Sequence, residues 1–316
     1  MKNIKKLQPR SEVAVLRRFS KDGLPEDLKN LVGYVFMKPA DALKWKPDVV
    51  FVTNPAPFHV SAAMRFAKRG SHLFIEKPLS ISLKDIGPLL NLCHKRELVV
   101  MVGYCLRFLK PLQVIKDAIE KNRIGRVLCV RASVGRHLPD WRPGDYRKHV
   151  SARKELGGGV VFELSHELDY LRWLIGEIRD VSVTLGTVSD LDINTEDVAE
   201  INLRFKSGAI GNIHLDMVDM AVNRWCRVIG TLGTLIWDSA GGHSVFLYSH
   251  TQRKAACLWK SNSHDYNQMY IDELKHFFSC IRRKSKPLID GETGRRIVEI
   301  VLAVKQSARL ERVVRV

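Results

Sequence analysis

Phe74-Ile75-Glu76-Lys77-Pro78-Leu79 is the stretch on which the reading of this chain turns. An apolar run, His72 to Ile75, ends abruptly in a carboxylate, an amine and a proline, as a buried strand does at its exit. The proline biases Lys77 away from the α region and so holds it at the strand end. Working outward, further β-rich runs lie at Glu12 to Leu16, Asp48 to Val52 and Leu98 to Val102. Helical patterns separate them. Phe58 to Lys68 repeats apolar residues at Val60, Ala63, Met64 and Ala67, and a second helix opens at Ser82 and carries Ile86, Leu89, Leu90 and Cys93. This βαβ rhythm predicts a parallel sheet covered by helices. In such a sheet ligands sit beyond the carboxyl ends of the strands, which is where Lys77 stands; an ordinary strand exit with solvated charges is the alternative.

Two neighbouring strand ends carry polar groups toward the same crevice. One reads Val52-Thr53-Asn54-Pro55-Ala56-Pro57-Phe58-His59 and the other Val102-Gly103-Tyr104-Cys105-Leu106-Arg107-Phe108. After Gly103 the pattern changes to long helical segments and period-two runs such as Ala199-Ile201-Leu203-Phe205 and Ile213-Leu215-Met217, with turn signals at Lys206-Ser207-Gly208 and Gly241-Gly242. Such alternation predicts a largely antiparallel sheet with one packed face. Two closing helices, about Asp265 to Lys284 and Glu292 to Ser307, follow. The expected organisation is a Rossmann-like domain over 1–104 and an α+β substrate domain over 105–316, the last helices returning toward the first domain.

Within the second half, Gly157-Gly158-Gly159 precedes a helical pattern from Val160 to Ile175. Leu164, Leu168, Leu171 and Ile175 share one side, while Glu163, His166 and Asp169 lie roughly opposite, with Tyr170 and Trp173 beside them. An imidazole between two carboxylates suits acid/base chemistry; a solvated helix face is the alternative. Upstream, the loop from His137 to Arg147 carries Trp141, Arg142 and Tyr146, the aromatic planes and guanidinium forks that hold sugar rings and phosphates.

Thr53 and His59, then Glu76-Lys77-Pro78, then Gly103 with Arg107-Phe108, in this order and spacing, resemble the glucose-fructose oxidoreductase and inositol dehydrogenase (Gfo/Idh/MocA) family, and the resemblance runs over essentially the whole chain. The glycine run followed by an acid, a histidine and a second acid is similar too, although Glu163 and His166 have two residues between them where the family has three. The resemblance implies hydride transfer between a nicotinamide cofactor and a hydroxyl- or keto-bearing carbon of a sugar, cyclitol or nucleotide-sugar. It implies Lys77 on the reacting oxygen, His166 exchanging its proton, and Glu163 and Asp169 as orienters or substrate contacts. Thr53, Asn54, Pro55, His59 and Glu76 are then expected along the cofactor crevice, with Tyr104, Arg107, Trp141, Arg142 and Tyr146 toward the substrate. By the same likeness, copies of the chain are expected to pair through the exposed face of the second sheet.

The cofactor clue in the residues themselves is the run Val13 to Ser20, where Arg17-Arg18 stands in place of a ribose-binding acid. Guanidinium groups favour a 2′-phosphate, so NADP is expected over NAD. Ahead of this run the sequence carries no strand and no GxGxxG turn, and Met1 to Leu7 reads as the end of the helix that should follow them. Roughly fifteen residues of such a domain are expected to lie upstream; a non-catalytic, vestigial binding protein is the alternative.

At 316 residues, with 45% hydrophobic and 27% charged residues, the composition is that of a two-domain globular protein. No run has the 18 or more apolar residues of a spanning helix, and the start lacks an apolar leader core, so no membrane partner and a cytoplasmic setting are expected. Six scattered cysteines without a CxxC pair exclude a disulfide scaffold, and no metal site is expected. Fifty-one Lys and Arg against 34 Asp and Glu leave a charge of +17. These cations are spread in short clusters without a groove-entering motif, so solvated basic faces are expected rather than a nucleic-acid footprint.

Overall fold

A computed structural model describes residues 1–17, 25–239, 244–249, 255–261 and 266–316 of the chain; Arg18, Gly241-Gly242 and the Asp265 helix start lie outside the described residues. The first half runs α1 (Lys2–Leu7), β1 (Ala14–Leu16), α2 (Glu26–Lys29), β2 (Tyr34–Phe36), α3 (Pro39–Trp45), β3 (Val49–Val52), α4 (His59–Ala67), β4 (His72–Glu76), α5 (Ile86–Lys95) and β5 (Val100–Gly103). Among the described residues all its strand pairs are parallel: β1 with β2, and β3-β4-β5 in order. The expected parallel sheet is therefore present in two pieces among the described residues. The helix expected at Ser82 starts later, at Ile86, because Asp85 adopts a left-handed conformation at φ 60°, which cannot continue a helix.

The second half runs α6 (Lys110–Glu120), β6 (Val127–Gly135), α7 (Val160–Glu163), α8 (His166–Ile175), β7 (Ile178–Gly186), β8 (Val198–Phe205), β9 (Ile210–Asp216), β10 (Asn223–Gly230), β11 (Gly233–Asp238), β12 (Ser244–Ser249), β13 (Ala256–Trp259), α9 (Asn267–Arg283), α10 (Gly291–Leu310) and β14 (Val314–Arg315). Among the described residues its nine strands form one sheet in the order β13-β12-β11-β10-β6-β9-β8-β7-β14, antiparallel except where β6 meets β9. Alternation builds it: in β8, Ala199, Ile201, Leu203 and Phe205 are buried while Glu200, Asn202 and Arg204 are exposed. One face packs on α6, α8 and α10; the other carries mixed polar and apolar side chains.

The architecture is thus α/β, a Rossmann-like parallel layer followed by an α+β unit on a largely antiparallel sheet. The two are tied by the chain's end. Val102 donates its amide to Ile289 (2.9 Å), and Phe277 of α9 lies edge-on to Phe51 and Phe74 at centroid distances of 6.0 and 5.5 Å. Aromatic pairs at such spacing add to the burial of their area, so α9 is held over the face of β3 and β4 and roofs the carboxyl edge of that sheet.

Candidate active site

The strand ends of β4 and β5 open into a cavity of about 950 Å³, bordered by Glu76, Lys77, Gly103, Arg142 and His166, with α1 and α9 forming its far wall. Lys77 and His166, 89 positions apart in sequence, therefore face one space. The sequence read residues 160–175 as a single helix, whereas it is broken between Glu163 and His166. That break has a chemical consequence. An unbroken helix would use the Glu163 carbonyl on the amide of residue 167; here Glu167 N–H turns to Leu164 O instead (3.4 Å), and Lys77 Nζ donates to Glu163 O at 2.6 Å. Among the described residues one of three ammonium protons is thus committed, and two remain for a ligand.

His166 stands at the start of α8 with its ring edge-on to Tyr104 at 5.5 Å. Burial first, then the positive charges of Lys77 and Arg224, hold its proton affinity well below the usual imidazole value. The ring is therefore neutral at neutral pH and free to accept a proton. The glycine run upstream is required by contact: a Cβ on Gly158 would lie 2.3 Å from Val150 O and 2.6 Å from Ser151 O, so only glycine lets that backbone thread beneath the helix. Glu76 is half-buried; burial raises its carboxyl, against the pull of Lys77.

Several expected ligand contacts are placed differently. Arg107 and Asp169 form a bidentate pair, Nε to Oδ2 at 2.9 Å and Nη2 to Oδ1 at 2.7 Å, with side chains 5% and 1% exposed. Their hydrogen-bonding capacity is directed at each other, so neither borders the cavity or orients His166. Tyr104 is fully buried with its hydroxyl 3.3 Å from Ser165 Oγ; it supports the imidazole from behind. Tyr170, read as part of a cleft wall, is also fully buried. His59 is enclosed between two backbone carbonyls, Nδ1 to Pro78 O at 2.9 Å and Nε2 to Asn54 O at 2.5 Å. It pins the β3 exit to the Lys77-Pro78 turn from inside and does not line the crevice.

Thr53 and Asn54 are exposed and Pro55 half-exposed at the β3 exit, outside the cavity wall. Of the loop triad, Arg142 alone reaches the cavity. Trp141 Nε1 donates to Arg136 O (2.8 Å) and the Tyr146 hydroxyl accepts from Asp192 N (3.1 Å), so both polar tips brace the loop. Arg17 follows β1, half-buried, with Nη1 lacking a hydrogen-bond partner among the described residues.

The sequence reading missed two acids. Glu167 is fully buried and paired with Arg224 Nε of β10 at 2.9 Å; its signal was the spacing Glu167, Leu171, Leu174 on an apolar stripe. Glu273 of α9 is buried and borders the cavity; it interrupts the stripe Met269, Phe277, Cys280, where a carboxylate has no packing reason to be.

A nicotinamide dinucleotide fits these surroundings. The cavity is within the size range of cofactor pockets, about 300–1,000 Å³. Lys2, Lys6, Lys77 and Arg142 bring positive charge to its wall. Gly103 ends β5 at the cavity under close cover, since a Cβ would come 3.2 Å from the Phe74 ring and 3.3 Å from Glu76 Oε2, so the floor there is backbone and the Phe74 ring rather than a β5 side chain. Among the described residues no group of His, Cys, Asp or Glu is arranged to hold a metal ion, and no helix is long and apolar enough to cross a membrane.

Comparison with known proteins shows which family the chain resembles in sequence and fold. Residues 6–104 match the oxidoreductase family with NAD-binding Rossmann fold, and residues 112–236 match the GFO/IDH/MocA C-terminal domain. The myo-inositol 2-dehydrogenase of Thermotoga maritima is 27% identical over 276 residues, covering 85% of this chain and 79% of that protein. The 1,5-anhydro-D-fructose reductase of Ensifer adhaerens is 26% identical over 270 residues, covering 83% and 77%. In fold, a levoglucosan dehydrogenase bound to NADH and levoglucosan superposes with a TM-score of 0.85 at 19% identity over 96% of this chain and 89% of that one. The WlbA dehydrogenase of Bordetella pertussis, bound to NADH and UDP-GlcNAcA, gives 0.81 at 23% identity over 100% and 94%. Matched by both domains of one family over most of its length, and by dehydrogenases and reductases along it, the chain belongs to the GFO/IDH/MocA family of oxidoreductases.

Proposed function

We propose that the chain transfers hydride between a nicotinamide dinucleotide and a carbon bearing a hydroxyl or keto group on a sugar, cyclitol or nucleotide-sugar. The observation that carries this reading is the meeting of Lys77 and His166 at one cavity of cofactor size. When bound, the cofactor supplies the hydride acceptor or donor; the protein's part is to hold the reacting oxygen and move its proton. Lys77 offers its two uncommitted N–H groups to that oxygen and stabilises the charge that develops on it. His166, starting neutral, takes the hydroxyl proton in the oxidation direction and returns it in reduction. Arg142 stands at the same cavity for substrate hydroxyls or an anionic substituent. Tyr104 backs the imidazole edge-on, and the Arg107–Asp169 pair ties the first turn of α8 to the segment after β5.

Arg17, half-buried after β1 with a guanidinium nitrogen that has no hydrogen-bond partner among the described residues, favours the 2′-phosphorylated form of the cofactor. On the outer face of the large sheet, half-exposed Trp225, Ile236 and Phe246 form an apolar patch through which copies of the chain pair. The test of the function is a titration of NADH and NADPH followed by nucleotide fluorescence, then turnover with polyols. Submillimolar binding and Lys77-dependent turnover are expected. Absence of binding to either nucleotide overturns the reading.

A further inference from the structure

Glu273 has no part in the reaction above, yet its surroundings are those of a ligand-binding group. It projects from the buried stripe of α9, is 3% exposed, and borders the same cavity as Glu76, Lys77 and His166. Its Oε1 is buried with no hydrogen-bond partner among the described residues. A buried carboxyl oxygen left unpaired is costly, and native structures keep one where something else satisfies it. No cation pairs with Glu273 among the described residues, whereas Asp169 and Glu167 each have an arginine. Its charged neighbour is instead a second acid, Glu76 of β4.

We propose that Glu273 is a cofactor-binding residue that donates its carboxyl proton to the carboxamide oxygen of the nicotinamide ring, with the Glu76 carboxylate accepting from the carboxamide N–H₂. The proposal rests on the cofactor reading above and names the group that orients the ring. Burial first, then the Glu76 charge, raises the Glu273 carboxyl well above its usual value, so it is the member of the pair that carries the proton. Two acids at one cavity, one protonated and one not, present a donor and an acceptor to it, and a primary amide is the part of the cofactor with the complementary pair. The Phe74 ring and the Gly103 backbone border the same cavity beside Glu76, and it is against them that the nicotinamide ring would lie. Lys77 and His166 then face the ring's reacting side, and the carboxamide contact fixes which face of the ring is presented to them.

The experiment compares NADH with ADP-ribose, which lacks the nicotinamide, on wild type, Glu273→Gln and Glu273→Leu, by fluorescence and calorimetry. Loss of one hydrogen bond to a neutral acceptor is expected to weaken NADH binding to Glu273→Leu about tenfold. ADP-ribose binding stays unchanged, and Glu273→Gln, which keeps a donor, stays within about threefold of wild type. Equal weakening of both nucleotides, or of neither, overturns the proposal. If Glu273→Leu fails to fold, Glu273→Gln decides alone, because tenfold weaker NADH binding with intact ADP-ribose binding contradicts a proton-donating role. Wild type that binds neither nucleotide overturns the cofactor reading and this one together.

Discussion

Replacing Arg107 by methionine separates a fold-building role from a substrate contact. The guanidinium meets both Asp169 oxygens, at 2.9 and 2.7 Å, where the two side chains are 5% and 1% exposed, and it also lies 5.8 Å from the Trp173 ring centre. Removing it leaves a carboxylate that water cannot reach. Breaking one partner of such a buried pair costs about 3–5 kcal/mol, which lowers the melting temperature of a chain of this size by roughly 10 °C. The loss is mostly an uncompensated charge, so Arg107→Met/Asp169→Leu, which removes both charges, should recover more than half of it. Thermal melts by circular dichroism on the three variants, with KM for a polyol where they remain folded, give the answer. A single variant that melts within about 1 °C of wild type but has a KM raised tenfold would refute this account and return Arg107 to the substrate.

Other outcomes follow from the same geometry. Lys77→Met, which removes the amine while keeping most of the stem, should abolish turnover with the melting temperature unchanged; retained turnover removes Lys77 from the chemistry. Gly158→Ala places a Cβ 2.3 Å from Val150 O and should yield little folded protein, whereas Gly103→Ala, which crowds Phe74 and Glu76 at 3.2 and 3.3 Å, should fold and bind NADH several-fold more weakly; expression level and fluorescence titration check the two. His166 has a folded-state proton affinity below its unfolded value, so its unfolded form binds more protons and stability falls as pH drops below about 6.5. His166→Asn should flatten that part of the stability profile, and an unaltered profile contradicts the buried neutral ring. His214 has the opposite sign: Asp216 at 3.1 Å and Glu200 at 2.6 Å raise its pKa to about 9. Its contribution is full below about 6.5 and is lost as pH rises through 9, and an imidazole resonance titrating near 6.5 by NMR would contradict the pairing.

The positions of Lys77 and of the β3, β4 and β5 exits were legible in the sequence because apolar runs and Gly/Pro punctuation are local signals. His166 was legible for the same reason, since a glycine run and an amphipathic stripe bracket it. What misled the reading was the assumption that residues 160–175 form one helix, which put Asp169 and Tyr170 on an open face. The break at Leu164-Ser165 turns α8 so that Asp169 meets Arg107 and Tyr170 goes into the core. Pairing across 62 positions leaves no periodic trace. His59 misled differently, because a histidine near a strand exit looks like a ligand contact until both ring nitrogens are seen against backbone carbonyls. Glu273 had a trace that went unread, a lone acid in an apolar stripe; that it reaches the cavity depends on α9 returning across the sheet, which no local pattern encodes.

The most direct test is a crystal structure of the chain with reduced cofactor and a bound polyol or its ketone. The account predicts that Lys77 Nζ and a His166 ring nitrogen both lie within hydrogen-bond distance of the same substrate oxygen, with the neighbouring carbon against the nicotinamide. A substrate seated elsewhere, or one whose oxygen meets only one of the two side chains, would contradict it.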